Sequence, residues 1–301
     1  MKPLLLLLFT LLFSVNALAG VDVAVAAYQK GDYKTAFREY KALVDQGHPE
    51  AQFQIGYMYR NGQGTIQDYK LAIYWYTKAA DQGYVKAQYM LGIMYKNGQG
   101  VAQDFTLAIH WFTKAAHNGD ARAQYRLGVI YKNGQGTIQD YESALHWYTK
   151  AAQSGDAYAQ YNLAIMYKNG QGTSQDYKSA IHWYTRAAQS GDVYAQYNLA
   201  IMYRNGVGTD QDYKTATYWY LKAAEQGYIK AQYNLALMYY TDEGSIQNYV
   251  RAHMWWNIAA SNGHADAEQN RDIVTKEMTA YQIIKAQSLA SECMAKEYKD
   301  C

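Results

Sequence analysis

The chain has only two cysteines and two prolines in 301 residues, and its formal net charge is +2. A near-neutral balance lacks the basic footprint that nucleic-acid binding needs, so no nucleic-acid partner is expected. Half of the residues are apolar, which suits a packed protein and excludes a disordered chain. Beyond the first nineteen residues no apolar run is long enough to span a membrane, so no integral membrane segment is expected there. The patterns H-E-x-x-H, G-x-S-x-G, the Walker A phosphate loop and S-x-x-K are all missing. No catalytic residue, metal or cofactor is therefore expected. The abundance lies in aromatic residues, 33 Tyr and 7 Trp.

Residues 1–19 read as an export signal. Lys2 supplies a positive start, Leu4 to Val15 is almost wholly apolar, and Ala17-Leu18-Ala19 fits the small-x-small rule for cleavage before Gly20. The apolar run is short for a bilayer span, which needs about 20 residues. No cysteine stands near the expected cut. The expectation is an exported protein, periplasmic or secreted.

Length alone would suggest two domains at about 100–200 residues each, but an internal repeat overrides that estimate. A constant 36-residue step relates Tyr33, Tyr69, Phe105, Tyr141, Tyr177, Tyr213 and Tyr249, and equal spacing implies equal geometry, as in a solenoid. Each unit reads as two helices. Asp68, Asp104, Asp140, Asp176, Asp212 and Asn248 stand as N-caps of helix A. In the second unit helix A covers Tyr69 to Asp81 and stops at Gly83, and helix B covers Val85 to Lys96. The turn Asn97-Gly98-Gln99-Gly100 then uses glycine for positive φ. It lacks the lysine and strand context of a phosphate loop. Ala72, Ile73, Tyr76, Ala79 and Ala80 form one apolar stripe on helix A, and Ala87, Leu91, Met94 and Tyr95 another on helix B. One pair cannot bury both faces, so neighbouring pairs must stack.

The run AxxWYxKAAxQGxxxAQYxLGxMYxNGxG, carried by several units from Tyr33 to about Arg271, resembles the Sel1-like repeat, a relative of the tetratricopeptide repeat. The resemblance implies an all-α, right-handed α/α superhelical solenoid that serves as a scaffold for protein–protein contacts. Exported bacterial members are often linked to cell-envelope or host-interaction roles. The expected organisation is a signal peptide at 1–19, an N-terminal capping segment at 20–32, and repeats at 33–68, 69–104, 105–140, 141–176, 177–212, 213–248 and 249–276. A C-terminal capping helix at 277–301 would follow, begun by a Thr279–Gln282 capping box, with Ile283, Ile284, Ala286, Leu289 and Ala290 packed over the open end. One cysteine-rich branch of the family is linked to penicillin binding and weak β-lactamase activity. That branch carries a cysteine pair in every repeat, and this chain has none within its repeats.

Comparing the units separates core from surface. The seventh position of helix A is Trp75, Trp111, Trp147, Trp183, Trp219 and Trp255, a packing register. The sixth position reads Tyr74, His110, His146, His182 and Tyr218 in the middle units, and the tenth Lys78, Lys114, Lys150, Arg186 and Lys222. By analogy with the tetratricopeptide fold, these two rows would line a groove for an acidic or extended protein or peptide, through cation–π and charge-assisted contacts. The histidines are too far apart to share one ion, since stacked helices lie about 8–10 Å apart and zinc–nitrogen bonds are about 2.0 Å. On helix B, Asn162, Asn198 and Asn234 read either as surface or as bonds to neighbouring backbone between units. A cell-wall glycan is the alternative partner, and a β-lactamase-like hydrolase a more distant one. Cys293 and Cys301 lie outside the repeats. Export would favour their pairing, but eight residues of continuous helix span about 12 Å, so a disulfide requires the chain to turn back after about Lys296. Free or intermolecular thiols are the other option.

Overall fold

Each 36-residue step builds one helical pair, as the sequence pattern requires. The structure is a computed structural model that describes residues 20–243 and 247–301, so the expected export segment lies outside the described residues. Every regular element among them is a helix. A leading helix α1 covers 20–29. The A helices are α2 (Tyr33–Val44), α4 (Tyr69–Asp81), α6 (Phe105–His117), α8 (Tyr141–Gln153), α10 (Tyr177–Gln189), α12 (Tyr213–Glu225) and α14 (Tyr249–Ser261). The B helices are α3 (Pro49–Asn61), α5 (Val85–Asn97), α7 (Ala121–Asn133), α9 (Ala157–Asn169), α11 (Val193–Asn205), α13 (Ile229–Thr241) and α15 (Ala265–Thr275), and α16 (Ala280–Ala295) closes the chain. The fold divides into two compact units, one ending at Ala151 and the other beginning at Ala152.

Local chemistry sets the helix ends. Asp68 accepts from the backbone N–H of Lys70 and Leu71, Asp104 from Leu107, Asp212 from Thr215 and Asn248 from Arg251; each such cap contributes about 1 kcal/mol. The connector after helix B needs glycine: Gly100 has φ 78°, and a Cβ there would stand 2.5 Å from Tyr69 Cβ. The connector is then tied down by Gln103, whose amide donates to the Lys96 carbonyl at 2.8 Å, while the Asp104 N–H donates to the Tyr95 carbonyl at 2.9 Å.

Packing is asymmetric within each unit. A B helix packs more extensively on the following A helix than on its own partner, as α3 does on α4 and α11 on α12. A small residue on helix B provides the seat. It is Gly56, Gly92 and Gly128 in the first unit, where Cβ atoms would meet the rings of Tyr76, Phe112 and Tyr148 at 2.8, 2.6 and 2.5 Å. In the second unit it is Ala164, Ala200 and Ala236, all fully buried. Burying each of these large side chains stabilises by about 1.5–3 kcal/mol.

A buried glutamine stitches the pairs together. Gln88 donates to the Ala80 carbonyl at 3.2 Å, and Gln196 and Gln232 do the same to Ala188 and Ala224. Their Oε1 atoms accept from the residue that ends the next A helix: Asn118 to Gln88 at 3.2 Å, Gln226 to Gln196 at 2.8 Å and Asn262 to Gln232 at 3.1 Å. Gln124 and Gln160 are exceptions, and the Oε1 of Gln124 is buried with no partner in the protein. Ser190, at the register facing Gln160, donates to Arg186 O in its own helix, and Gln160 Oε1 is likewise buried with no partner in the protein.

The C-terminal end departs from the pattern. The seat register on α15 is Asp272, which offers an aromatic ring no apolar surface. Accordingly α16 packs on α14 rather than on α15. The Thr279–Gln282 capping box is formed. Ala286 and Ala290 are buried as expected, but Ile284 is 66% exposed, because the buried face of α16 is turned onto α14. Helix α16 is capped by Lys296, and the chain reverses through Glu297, Tyr298 and Asp300, all at positive φ. That reversal brings Cys301 to Cys293, with their Cα atoms 5.3 Å apart, in a disulfide. Tyr298 Oη donates to Asn262 Oδ1 at 3.0 Å, and Arg251 to the Cys301 carbonyl at 3.2 Å.

Candidate protein-interaction surface

On an α-helix the sixth and tenth positions lie one turn apart on the same face, and in the A helices both project outward. In the first unit Tyr74, His110, His146, Lys78, Lys114 and Lys150 are all exposed. In the second, His182, Tyr218 and Arg186 are exposed, while Lys222 is half-buried and pairs with Glu225 at 3.0 Å. That pair holds the Lys222 ammonium above its ordinary pKa. The row ends at Met254, which is buried in the core of the last repeat.

The tryptophan between them joins surface to core. Trp111 and Trp147 are each 8% exposed, and Trp255 is fully buried. Trp75, Trp183 and Trp219 are half-buried. Trp111 packs with Ala72, Tyr76 and Leu91 of the preceding pair, and Trp147 with Ala108, Phe112 and Leu127. Each indole also meets its neighbour in the outer row edge-on. Ring centroids are 4.9 Å apart for Tyr74–Trp75, 5.2 Å for His110–Trp111, 5.1 Å for His146–Trp147, and 4.9 Å for both His182–Trp183 and Tyr218–Trp219. Lys114 Nζ lies 4.6 Å from the Trp111 ring centroid and Lys150 Nζ 5.4 Å from that of Trp147, whereas Lys78 Nζ lies 5.7 Å from the Tyr74 ring. The first unit thus carries three rungs, two with the lysine over the tryptophan and one with Lys78 over Tyr74. Such a strip offers flat rings and cations held in place, suited to acidic side chains on an extended segment.

Asn162 and Asn198 donate to the Tyr158 and Tyr194 carbonyls in their own helices, an i–4 carbonyl lying within reach, and Asn198 also bonds the Tyr161 hydroxyl of the preceding repeat. Asn234 reaches the preceding repeat, donating to Tyr197 Oη at 3.2 Å. No group of three or more His, Cys, Asp or Glu side chains able to hold a metal ion gathers among the described residues. No described helix is long and apolar enough to cross a membrane. The buried glutamines and the bracing of the strip by Trp are features the sequence reading missed; the repeated Ala-Gln pair was the available signal for the first.

A family model described as the Sel1 repeat matches residues 49–84, 85–120, 121–156, 157–192, 193–228 and 229–264. These segments begin at helix B and end after the next helix A, the pair that packs most closely. Among solved structures, a Sel1 repeat protein from Oxalobacter formigenes is 34% identical, covering 81% of this chain and 96% of its own, with a TM-score of 0.64. A protective antigen of uropathogenic Escherichia coli with an SLR fold is 28% identical over 94% of this chain and 78% of its own, at a TM-score of 0.41. A putative Sel1 repeat protein from Klebsiella pneumoniae is 26% identical over 66% of this chain and 97% of its own, at 0.39. No curated protein gives a significant match.

Proposed function

The chain belongs to the Sel1 repeat family, and from that premise we propose that it is an exported, non-catalytic scaffold whose helix A strip holds an extended, acidic stretch of a protein partner. The observation that carries this reading is the three-rung strip of the first unit: Trp75–Tyr74–Lys78, His110–Trp111–Lys114 and His146–Trp147–Lys150. The family supplies the scaffold role, and the exposed side chains supply the chemistry of the partner. The export pattern at 1–19 supports a partner in the cell envelope or on a host. Affinity capture from envelope extract tests this, with residues 20–301 as bait beside a matched bait carrying His110→Ala and His146→Ala. A protein held by the first and lost by the second supports the strip. Equal capture by both moves the site elsewhere.

One observation favours a second reading, a cell-wall glycan. On the B helices of the second unit Tyr158 is 64% exposed and Tyr194 52% exposed. Tyr194 lies 6.1 Å from Tyr161 and 5.5 Å from Tyr228 between ring centroids. Co-sedimentation with peptidoglycan, lost on Tyr158→Ala with Tyr194→Ala, would favour it.

A further inference from the structure

Arg60, at the C-terminal end of α3, projects toward the next pair. Its guanidinium lies close enough to the Tyr76 hydroxyl to lower that phenol's pKa, although burial outweighs this and raises it overall. Arg60 Nη2 makes one long hydrogen bond, 3.5 Å, to the amide oxygen of Gln99 in the following connector. Arg60 Nε and Tyr76 Oη are both buried with no hydrogen-bond partner in the protein. Two buried donors, one of them charged, converge beside a neutral acceptor; unsatisfied groups of this kind cost about 1–3 kcal/mol, more when charged.

The same arrangement recurs four repeats later with one atom-level change. Arg204, Tyr220 and Glu243 occupy the registers of Arg60, Tyr76 and Gln99. There Arg204 Nε donates to Glu243 Oε2 at 2.7 Å and Nη2 to Oε1 at 3.4 Å. The carboxylate raises the guanidinium pKa, and the charge of Arg204 lowers the Tyr220 phenol against its burial. The intervening registers do not reproduce the pairing of guanidinium and phenol, since Lys96 precedes Phe112 and Lys168 precedes Tyr184. Both slots reach the surface: Arg60 and Gln99 are half-buried, and the Arg204 and Glu243 side chains are each 24% exposed.

We infer that the Arg60–Tyr76–Gln99 slot is a carboxylate-binding site, taking from outside the group that Glu243 supplies from within at Arg204. The carboxylate lies side-on to the guanidinium, accepting from Nε and Nη2, with the Tyr76 hydroxyl as a further donor and Gln99 displaced. This site is on a B helix and does not rest on the helix A strip. Its ligand is an acidic side chain of a bound protein or a free small carboxylate.

The test is NMR of the chain from residue 20 to residue 301, with 15N in the arginine side chains, titrated with N-acetylglutamate and separately with a capped Gly-Glu-Gly peptide. The Arg60 Nε–Hε resonance should move saturably with at least one of them. Movement with both identifies a site for carboxylates in general, and movement with the peptide alone identifies a protein side chain. Gln99→Glu should abolish the response by filling the slot, as Glu243 does, without unfolding the chain. Glu243→Gln should create a matching response at Arg204, and Arg60→Gln should weaken peptide binding about tenfold or more. An Arg60 resonance that does not saturate with either probe, or that responds equally in Gln99→Glu, overturns the inference.

Discussion

The ring of Phe112 lies against Gly92, so close that a Cβ on that glycine would stand 2.6 Å from the ring. The register continues through Gly128 beneath Tyr148 at 2.5 Å, and it fixes how far apart successive pairs stand. Gly92→Ala should therefore destabilise the chain. Overpacking costs about 1–3 kcal/mol, which exceeds the gain of about 0.5–1 kcal/mol from removing a helical glycine. Urea unfolding of the two forms measures the difference, and a stabilised variant would show that the spacing is soft.

Ser190 is a short member of a series whose longer members, Asn118, Gln226 and Asn262, each reach a buried glutamine. Ser190→Asn should reach Gln160 Oε1 while keeping the bond to Arg186 O, as Asn118 keeps one to Lys114 O at 3.1 Å. The expected gain is about 0.5–1.5 kcal/mol, read as a higher denaturant midpoint. No gain would mean that Gln160 is satisfied by solvent.

His253 occupies the register of Ile73, Ile109 and Ile181 and is 2% exposed, with its Nδ1 unpartnered. Burial, and then the charge of Arg271, hold its pKa below the ordinary 6.5. The unfolded imidazole takes up a proton below about pH 6.5 and the folded one resists, so stability is full above that pH and falls as pH drops toward the folded value. His253→Ile should flatten stability between about pH 7 and 5 and raise it by about 1 kcal/mol. An unchanged pH profile would place the titration elsewhere. At lower pH the N-caps act in the same direction. Asp140, Asp176 and Asp212 are held below the carboxylate range by the hydroxyls of Ser143, Ser179 and Thr215, so their contribution is present above about pH 3.9 and lost below.

The Cys293–Cys301 disulfide closes a short loop that seats Tyr298 on Asn262. Reduction should lower the unfolding midpoint, since a loop of this length is worth about 2–3 kcal/mol. Cys301→Ser should reproduce the loss, and Tyr298→Phe should cost only about 0.5–1.5 kcal/mol, the hydrogen bond alone. A midpoint indifferent to dithiothreitol would detach this loop from the fold.

What the sequence made legible was local or periodic. Asp68 before Tyr69, Gly83 after the A helix and Thr279 three residues before Gln282 each announce a helix end through a bond to a near neighbour. The 36-residue step then carried those assignments along the chain. The exposed rows at Tyr74 and Lys78 followed from the helical wheel. What stayed hidden was polar and distant in sequence. Gln88 and Asn118 are 30 residues apart, and Arg60 and Gln99 are 39 apart. Such contacts depend on the offset between stacked pairs, which no single helix encodes. Ile284 was misplaced for a related reason: its burial depended on which helix α16 would choose, and Asp272 turned that choice toward α14.

In the proposed function the helix A strip of the first unit binds an extended acidic segment. Tryptophan emission during titration with a capped, glutamate-rich peptide tests it most directly, because Trp111 and Trp147 lie within the rungs. The expected result is a saturable change that weakens with salt, with affinity about tenfold or more lower in Lys114→Ala with Lys150→Ala, each lost charge-assisted contact costing about 1.5–3 kcal/mol. A change that never saturates, or one of equal affinity in the double variant, would contradict it.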